Sequence, residues 1–243
     1  MRTCAAGLET LHSRPRRALW AVFLLVALLA PRIGDSVGYP LPEGVRRNIK
    51  IARGQFLIAS RLLMKDPRFQ QSVILLIHHD ENGTIGLILN HPAKITVHQL
   101  LPDLTGPQQL ADTVFIGGPV TPRQLFLLVK TKREIKGFEQ IVDNVSFSAD
   151  ADAIKNLLVP KGQDETQESQ PPATGDQMRE RYRMYAGYSG WAPGQLDAEI
   201  TTGGWNVLPA DDKSVFDLAP ADLWEELDRR TNLQQAVAGL PGK

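Results

Sequence analysis

The densest run of side chains able to bind metal or move protons is His78-His79-Asp80-Glu81, with His91 and His98 further along. Imidazole and carboxylate groups could together hold a divalent ion or act as acid and base. Neighbouring residues of a strand point to opposite faces, however, so His78 and His79 are poorly placed to grip one ion. No HExxH spacing and no cysteine–histidine pair accompanies them. The run reads as a polar strand end entering a turn, and no metal is expected.

Gly187-Tyr188-Ser189-Gly190-Trp191 approaches a nucleophile elbow, which sets serine on a sharp strand-to-helix turn with glycine two residues before and two after. Gly187 meets the first requirement, but Trp191 stands where the second glycine belongs. A bulky indole there obstructs the close strand–helix approach, so Ser189 is expected in a tight turn whose glycines let Trp191 cap the core. Gly117-Gly118-Pro119 could aim backbone N–H groups at an anion, although such a triplet more commonly makes a sharp turn between strands. Asn90-His91-Pro92 reads as another turn, with the proline holding His91 extended. Asp197 suits the positive end of a helix following Pro193. Glu199 is either a ligand group or solvated, and paired-carboxylate chemistry has no support. Trp191, Trp205 and Trp224 read as core or rim aromatics.

These residues need a scaffold. Gln55–Ser60 is a first short strand, and Asp66-Pro67 suits a turn anchored by Phe69. Ser72–His79 and Thr84–Asn90 flank Asp80-Glu81-Asn82-Gly83, two apolar runs about an Asn-Gly turn, which predicts a hairpin. Val73, Leu75 and Ile77 would face one side and Ile74 and Leu76 the other, placing the pair mid-sheet. Thr96–Leu101 can start a short helix. Thr113–Gly117, Gln124–Lys130 and Asn144–Ser148 read as strands, and Ala149–Leu158 as a helix with Ala153, Leu157, Ile154 and Leu158 at helical spacing. Residues 160–180 hold almost nothing to bury and read as a mobile surface loop.

Beyond that loop, Arg181–Tyr188 alternates as a half-buried strand, with Tyr182, Met184 and Ala186 opposite Arg183, Tyr185 and Gly187. Pro193 is expected in the first turn of a helix reaching Ile200, with Leu196 and Ile200 buried and Gly203-Gly204 closing it. Trp205–Leu208 is a last strand. Pro220–Thr231 is a closing helix burying Leu223, Trp224 and Leu227, with Glu225–Arg229 and Glu226–Arg230 as favourable pairs, and 232–243 a tail. The half before residue 160 alone would leave sheet faces uncovered. One domain spanning about 53–231, after a lead-in at 39–52, is therefore expected.

Composition bounds the function. A chain of 243 residues with 42% hydrophobic and 22% charged side chains is globular rather than disordered. Residues 18–30, ALWAVFLLVALLA, follow the basic cluster Arg14-Pro15-Arg16-Arg17. A spanning helix needs about 20 apolar residues, so 1–38 reads as a signal peptide, with an uncleaved anchor or a buried helix as alternatives. The chain after residue 38 carries 22 basic and 25 acidic groups, which lacks the footprint of a nucleic-acid binder. Cys4 is the sole cysteine and lies in the leader, so the domain itself makes no disulfide.

The chain resembles the AlgH/YqgE family. The matching segments are Gly54–Ser60, Asp66-Pro67-Arg68-Phe69, Ser72–Asp80, Gly83–Asn90, Phe115-Ile116-Gly117-Gly118-Pro119-Val120 and Gly187–Leu196, with Glu199-Ile200 and Gly204-Trp205. The resemblance implies an α+β fold whose mixed sheet curls toward a pseudo-barrel with flanking helices. It implies no established reaction, since one family name records a regulatory effect on alginate synthesis. The family is usually leaderless and cytoplasmic. It commonly has arginine where this chain has His91, and often alanine at Ser189, and its loop at 160–180 is typically shorter.

The resulting expectation is a non-catalytic binding or regulatory module without a cofactor. A small ligand or protein partner would meet the surface formed by Asn90, Gly117, Gly118, Gly187, Trp191 and Gln195, with no nucleic acid involved. Membrane contact would come only through residues 18–30, and the domain would be exported. The alternative is a hydrolase-like enzyme drawing on His79, Asp80 or Glu199.

Overall fold

The computed structural model describes residues 50–102, 113–158 and 181–238. The expected leader, most of the lead-in and the loop at 160–180 lie outside them.

The hairpin forms as its alternation requires. β2 (Val73–Asp80) pairs antiparallel with β3 (Gly83–Ile88), and Asp80 opposes Gly83 across a loop of Glu81 and Asn82. Asp80 Oδ1 accepts the Asn82 N–H at 2.8 Å and pins that turn. Val73, Leu75 and Ile77 enter one apolar cluster while Ile74 and Leu76 enter another. Both faces are covered, so the hairpin sits inside the sheet.

The remaining strands are β1 (Gln55–Ala59), β4 (Pro92–Thr96), β5 (Thr113–Ile116), β6 (Val120–Lys130), β7 (Glu139–Val142), β8 (Val145–Ser148), β9 (Arg181–Trp191) and β10 (Trp205–Pro209). They form one mixed ten-stranded sheet in the order β10-β1-β2-β3-β9-β6-β8-β7, and the β4–β5 pair joins it where β5 lies parallel to β9. The sheet curls into a half-barrel, and its far edge returns to its start. Arg53, just ahead of β1, donates from Nη2 to the Gln140 carbonyl of β7 at 2.7 Å, and from Nη1 to Glu139 at 3.3 Å.

Among the described residues five α-helices complete the α+β fold: α1 (Val97–Leu100), α2 (Ala151–Leu158), α3 (Gln195–Thr201), α4 (Asp212–Phe216) and α5 (Pro220–Ala238). The half-barrel interior holds Phe56, Ile58, Leu75, Phe126, Leu128, Val145, Tyr185 and Leu208, covered by Val215 and Phe216 of α4 and Leu223 and Leu227 of α5. Strands from both sides of residues 159–180 thus share one core. A second cluster under α3 unites Leu57, Ile74, Leu76, Trp191, Leu196 and Trp205, and a third joins α2 to β6 and β9.

Several expectations are corrected. β9 is covered on both faces: Met184 lies under α2 while Tyr185 enters the interior, so its alternation does not mark half-burial. β9 also runs on through Ser189 to Trp191, where a turn was expected, because Gly187 takes the left-handed φ of 72° and bulges the strand without ending it. Helix α3 begins at Gln195, with Gly194 as N-cap, so Pro193 precedes the helix. Asp150 accepts the Ala153 N–H at 2.8 Å and caps α2, which therefore starts at Ala151. α5 extends past Thr231 to Ala238, removing the first part of the expected tail. Glu226 binds both Arg229 and Arg230, so the Glu225–Arg229 pair is replaced.

Candidate functional site

The expected residues separate into two groups along β3 and β9. Thr84 opposes Trp191 and Gly86 opposes Ser189. Beyond that level the two strands diverge, and Gly117 fills the fork: its N–H donates to Ala186 O and its carbonyl accepts from Ile88 N–H, both at 2.9 Å. Four strand steps separate Thr84 from Ile88, about 13 Å at roughly 3.3 Å per residue. Trp191 and Gln195 therefore stand at one end of β3, and Asn90, Gly117, Gly118 and Gly187 at the other.

At the fork the glycines are required by contact between backbones. A Cβ on Gly118 would fall 2.2 Å from the Tyr188 carbonyl carbon, and one on Gly187 2.6 Å from Gly118 O. The Gly117 N–H is already engaged in the sheet, which removes it from the anion-binding reading. Asn90 acts as a bracket. Its Oδ1 accepts the Val73 N–H at 3.0 Å and its Nδ2 donates to Gln71 O at 2.8 Å, fixing the start of β2. His91 follows, its carbonyl accepting from Ile116 N–H at 2.8 Å. Burial holds the His91 imidazole below its ordinary pKa, opposed by a bond to the Gln70 backbone. Beside this group Ile116 is 48% exposed.

At the other end the centre is Glu199. Its Oε2 accepts the indole N–H groups of Trp191 at 2.9 Å and Trp205 at 2.8 Å, and its Oε1 accepts from Gln195 Nε2 at 3.0 Å. Gln195 Oε1 in turn accepts the Ala192 N–H at 3.1 Å. The two indoles meet edge to face at 6.1 Å, and Phe69 meets Trp205 in the same manner at 5.7 Å. Arg68 lies over the Phe69 ring and pairs with Asp66. Arg68 holds the Asp66 carboxyl below its usual range against an opposing burial effect.

The alternative enzyme residues do not converge. His79 Nδ1 lies 2.7 Å from Thr84 Oγ1, and Asp80 pairs with His78 at 3.2 Å. Neither is bonded to Glu199. Ser189 is buried, its Oγ directed at the Gly117 carbonyl at 3.4 Å. Among the described residues, no group of three or more His, Cys, Asp and Glu could hold a metal ion.

Sequence reasoning missed a third polar grouping, inside the half-barrel. Arg183 and Tyr185 occupy successive inward positions of β9, and their only sequence signal is an arginine in the inward register of that strand. The guanidinium lies 5.4 Å from the Phe115 ring centroid and 6.0 Å from that of Phe216. Its Nη2 donates to Leu218 O at 3.2 Å. Arg183 Nη1 and Tyr185 Oη are buried, and neither has a hydrogen-bond partner of acceptable geometry. Burial pushes the Tyr185 phenol up to about 12; the Arg183 charge and the approach of its guanidinium to the hydroxyl oppose this, and the hydroxyl stays protonated.

A curled mixed sheet with helices over its interior, a glycine-filled fork and a carboxylate-centred tryptophan pair defines an α+β half-barrel protein. The AlgH-like family profile matches residues 56–236, and the chain belongs to that family. The UPF0301 protein of Magnetococcus marinus is 31% identical over 186 residues, covering 76% of this chain and 91% of that protein. The solution structure of the AlgH protein from Pseudomonas aeruginosa has a TM-score of 0.55 at 25% identity, covering 81% of this chain and 99% of the other. A crystal structure of a Corynebacterium diphtheriae protein also has a TM-score of 0.55 at 25% identity, covering 76% and 89%. No helix among the described residues is long and apolar enough to cross a membrane.

Proposed function

We propose that this protein is a non-catalytic binding or regulatory module. It would meet a small ligand or partner at the end of the fold where Asn90, Gly117, Gly118 and Gly187 gather, beside exposed Ile116. One observation carries the reading: the side chains able to do chemistry are engaged with the chain itself. Glu199 is engaged by two indoles and an amide, Asn90 brackets backbone, and Ser189 lies inside a strand. A catalytic acid or base needs a partner within hydrogen-bond reach in one pocket, and His79 and Glu199 do not bond each other.

The hydrolase-like alternative has one point in its favour. His79 opposes Thr84, which opposes Trp191, so His79 and the Glu199 cluster flank the same outer sheet face. Profiling the full chain against ester, amide, phosphoester and glycoside substrates, beside His79→Ala and Glu199→Gln, separates the readings. The module reading expects indistinguishable traces from all three proteins. Turnover by the unaltered chain that disappears in either variant establishes the enzyme.

Export of the domain is part of the same reading and is supported by the basic cluster and apolar run at 14–30. N-terminal sequencing from fractionated cells tests it. A mature start near Tyr39 outside the cytoplasm is expected, and an intact Met1 in the cytoplasm contradicts it.

A further inference from the structure

We infer that Arg183 and Tyr185 form an interior site for the carboxylate of a small apolar acid. The site lies in the half-barrel interior, apart from the fork surface proposed above; it gives the binding module a ligand class and rests on the module reading.

The inference begins with the unmatched charge. Arg181 and Lys130, close by, both reach Asp217, and Lys130 also reaches Asp212. No carboxylate among the described residues lies within ion-pair distance of Arg183. Its ring contacts do not replace one, because an aromatic face attracts a cation without accepting its N–H hydrogens in line. Arg183 Nη1 is nevertheless buried, and a buried donor without an acceptor is a costly arrangement.

The second element is the number of donors. With Nη2 fixed on the Leu218 carbonyl, the guanidinium offers Nη1–H, and the protonated Tyr185 hydroxyl offers O–H. The hydroxyl can also accept one N–H of the guanidinium, yet Nη1 keeps a second N–H and the hydroxyl its own O–H, so each still offers a donor from the same face of β9 two residues apart. Two donors match the two oxygens of a carboxylate. A phosphate dianion would leave further oxygens unmatched among apolar groups. The rings of Phe115, Phe216 and Tyr185 provide an apolar surround suited to a hydrocarbon tail. Tyr185 is fully buried, but Arg183 and Leu218 are only half-buried, so the approach to the two donors from solvent runs beside the α4–α5 link. The fork at Gly117 also contributes: by locking β5 to β9 it brings Phe115 opposite Tyr185, their ring centroids 5.5 Å apart.

The test is thermal unfolding of the full chain in rising acetate or butyrate, with inorganic phosphate and chloride as controls at constant ionic strength. Acetate and butyrate should raise the midpoint saturably, butyrate at lower concentration, while the controls give only a shallow non-saturating drift. Tyr185→Phe removes a hydroxyl whose one polar neighbour is Arg183, so it should fold normally and bind carboxylate about tenfold more weakly. Arg183→Gln should abolish the effect; if that variant does not fold, Tyr185→Phe decides the question. No saturable carboxylate effect, one unchanged in Tyr185→Phe, or a saturable phosphate effect in place of it overturns the site. Such a result would leave the substrate profile, and with it the module reading, standing. Turnover in that profile would remove the module reading whatever the anions do.

Discussion

Trp191 and Trp205 donate their indole N–H groups to the same oxygen, Glu199 Oε2, at 2.9 and 2.8 Å, while their rings meet edge to face. The relationship ties the end of β9 to the start of β10 through a residue of α3. Trp205→Phe keeps an aromatic ring against Phe69 and Trp191 but deletes one donor, so about 1–2 kcal/mol should be lost. Trp205→Ala also opens a cavity and should cost about 3–5 kcal/mol. Urea unfolding of both variants measures the difference; a Trp205→Phe protein as stable as the unaltered chain would mean that the shared oxygen contributes nothing.

Asn90 distinguishes a bracket from a ligand group. Asn90→Asp keeps an acceptor for the Val73 N–H but turns a carboxylate toward the Gln71 carbonyl, which the amide had donated to. The expected cost is about 1–3 kcal/mol at neutral pH. It should shrink in acid, where the protonated acid can again donate. Urea midpoints at two pH values check this, and a pH-independent loss contradicts the bracket.

Gly187 and Gly194 share nearly the same left-handed φ, 72° and 73°, in different surroundings. A Cβ on Gly187 meets Gly118 O at 2.6 Å, whereas one on Gly194 meets nothing within 4 Å. Gly194→Ala should therefore show only the conformational cost, about 1–2 kcal/mol. Gly187→Ala adds a backbone collision and should lose about 3 kcal/mol or more. Thermal unfolding of the two variants side by side isolates the contribution of the fork.

His91 predicts a pH dependence. Burial lowers its folded-state pKa below the unfolded value. Between those two values the unfolded chain binds more protons, so stability rises with pH there. Stability should therefore fall as pH drops through the ordinary imidazole range, around 6.5, and His91→Asn should flatten that part of the profile. A profile unchanged by the substitution would show that His91 titrates alike in both states.

How legible the fold was depended on whether the physics was local. The β2–β3 hairpin announces itself because five consecutive apolar residues must divide between two faces, and they do. β4 and β7 were missed because Pro92-Ala93-Lys94 and Glu139-Gln140 are largely exposed, and such strands owe their geometry to a neighbour more than to apolar pattern. α4 was missed although Asp211 caps it through Ser214, since five residues give too short a period to read. The glycine-rich stretch of β9 looked like a turn because the demand for glycine comes from β5 and the β5–β6 link, distant in sequence. The same distance hid Arg183: alternation places it inward, but only the assembled half-barrel shows that Phe115 and Phe216 surround it and that no acid among the described residues reaches it. Gln195 and Trp191 stand out in the sequence, yet their common partner Glu199 could not be inferred from spacing alone.

The central claim is that the polar groups of the candidate site hold the fold together instead of performing chemistry, and Glu199 tests it most directly. Equilibrium urea unfolding of the full chain carrying Glu199→Ala, followed by tryptophan fluorescence, measures what the carboxylate contributes. Stranding two buried indole N–H groups should cost about 2–4 kcal/mol and shift the midpoint accordingly. A midpoint equal to that of the unaltered chain would show that Glu199 is free for another task, and would contradict the account.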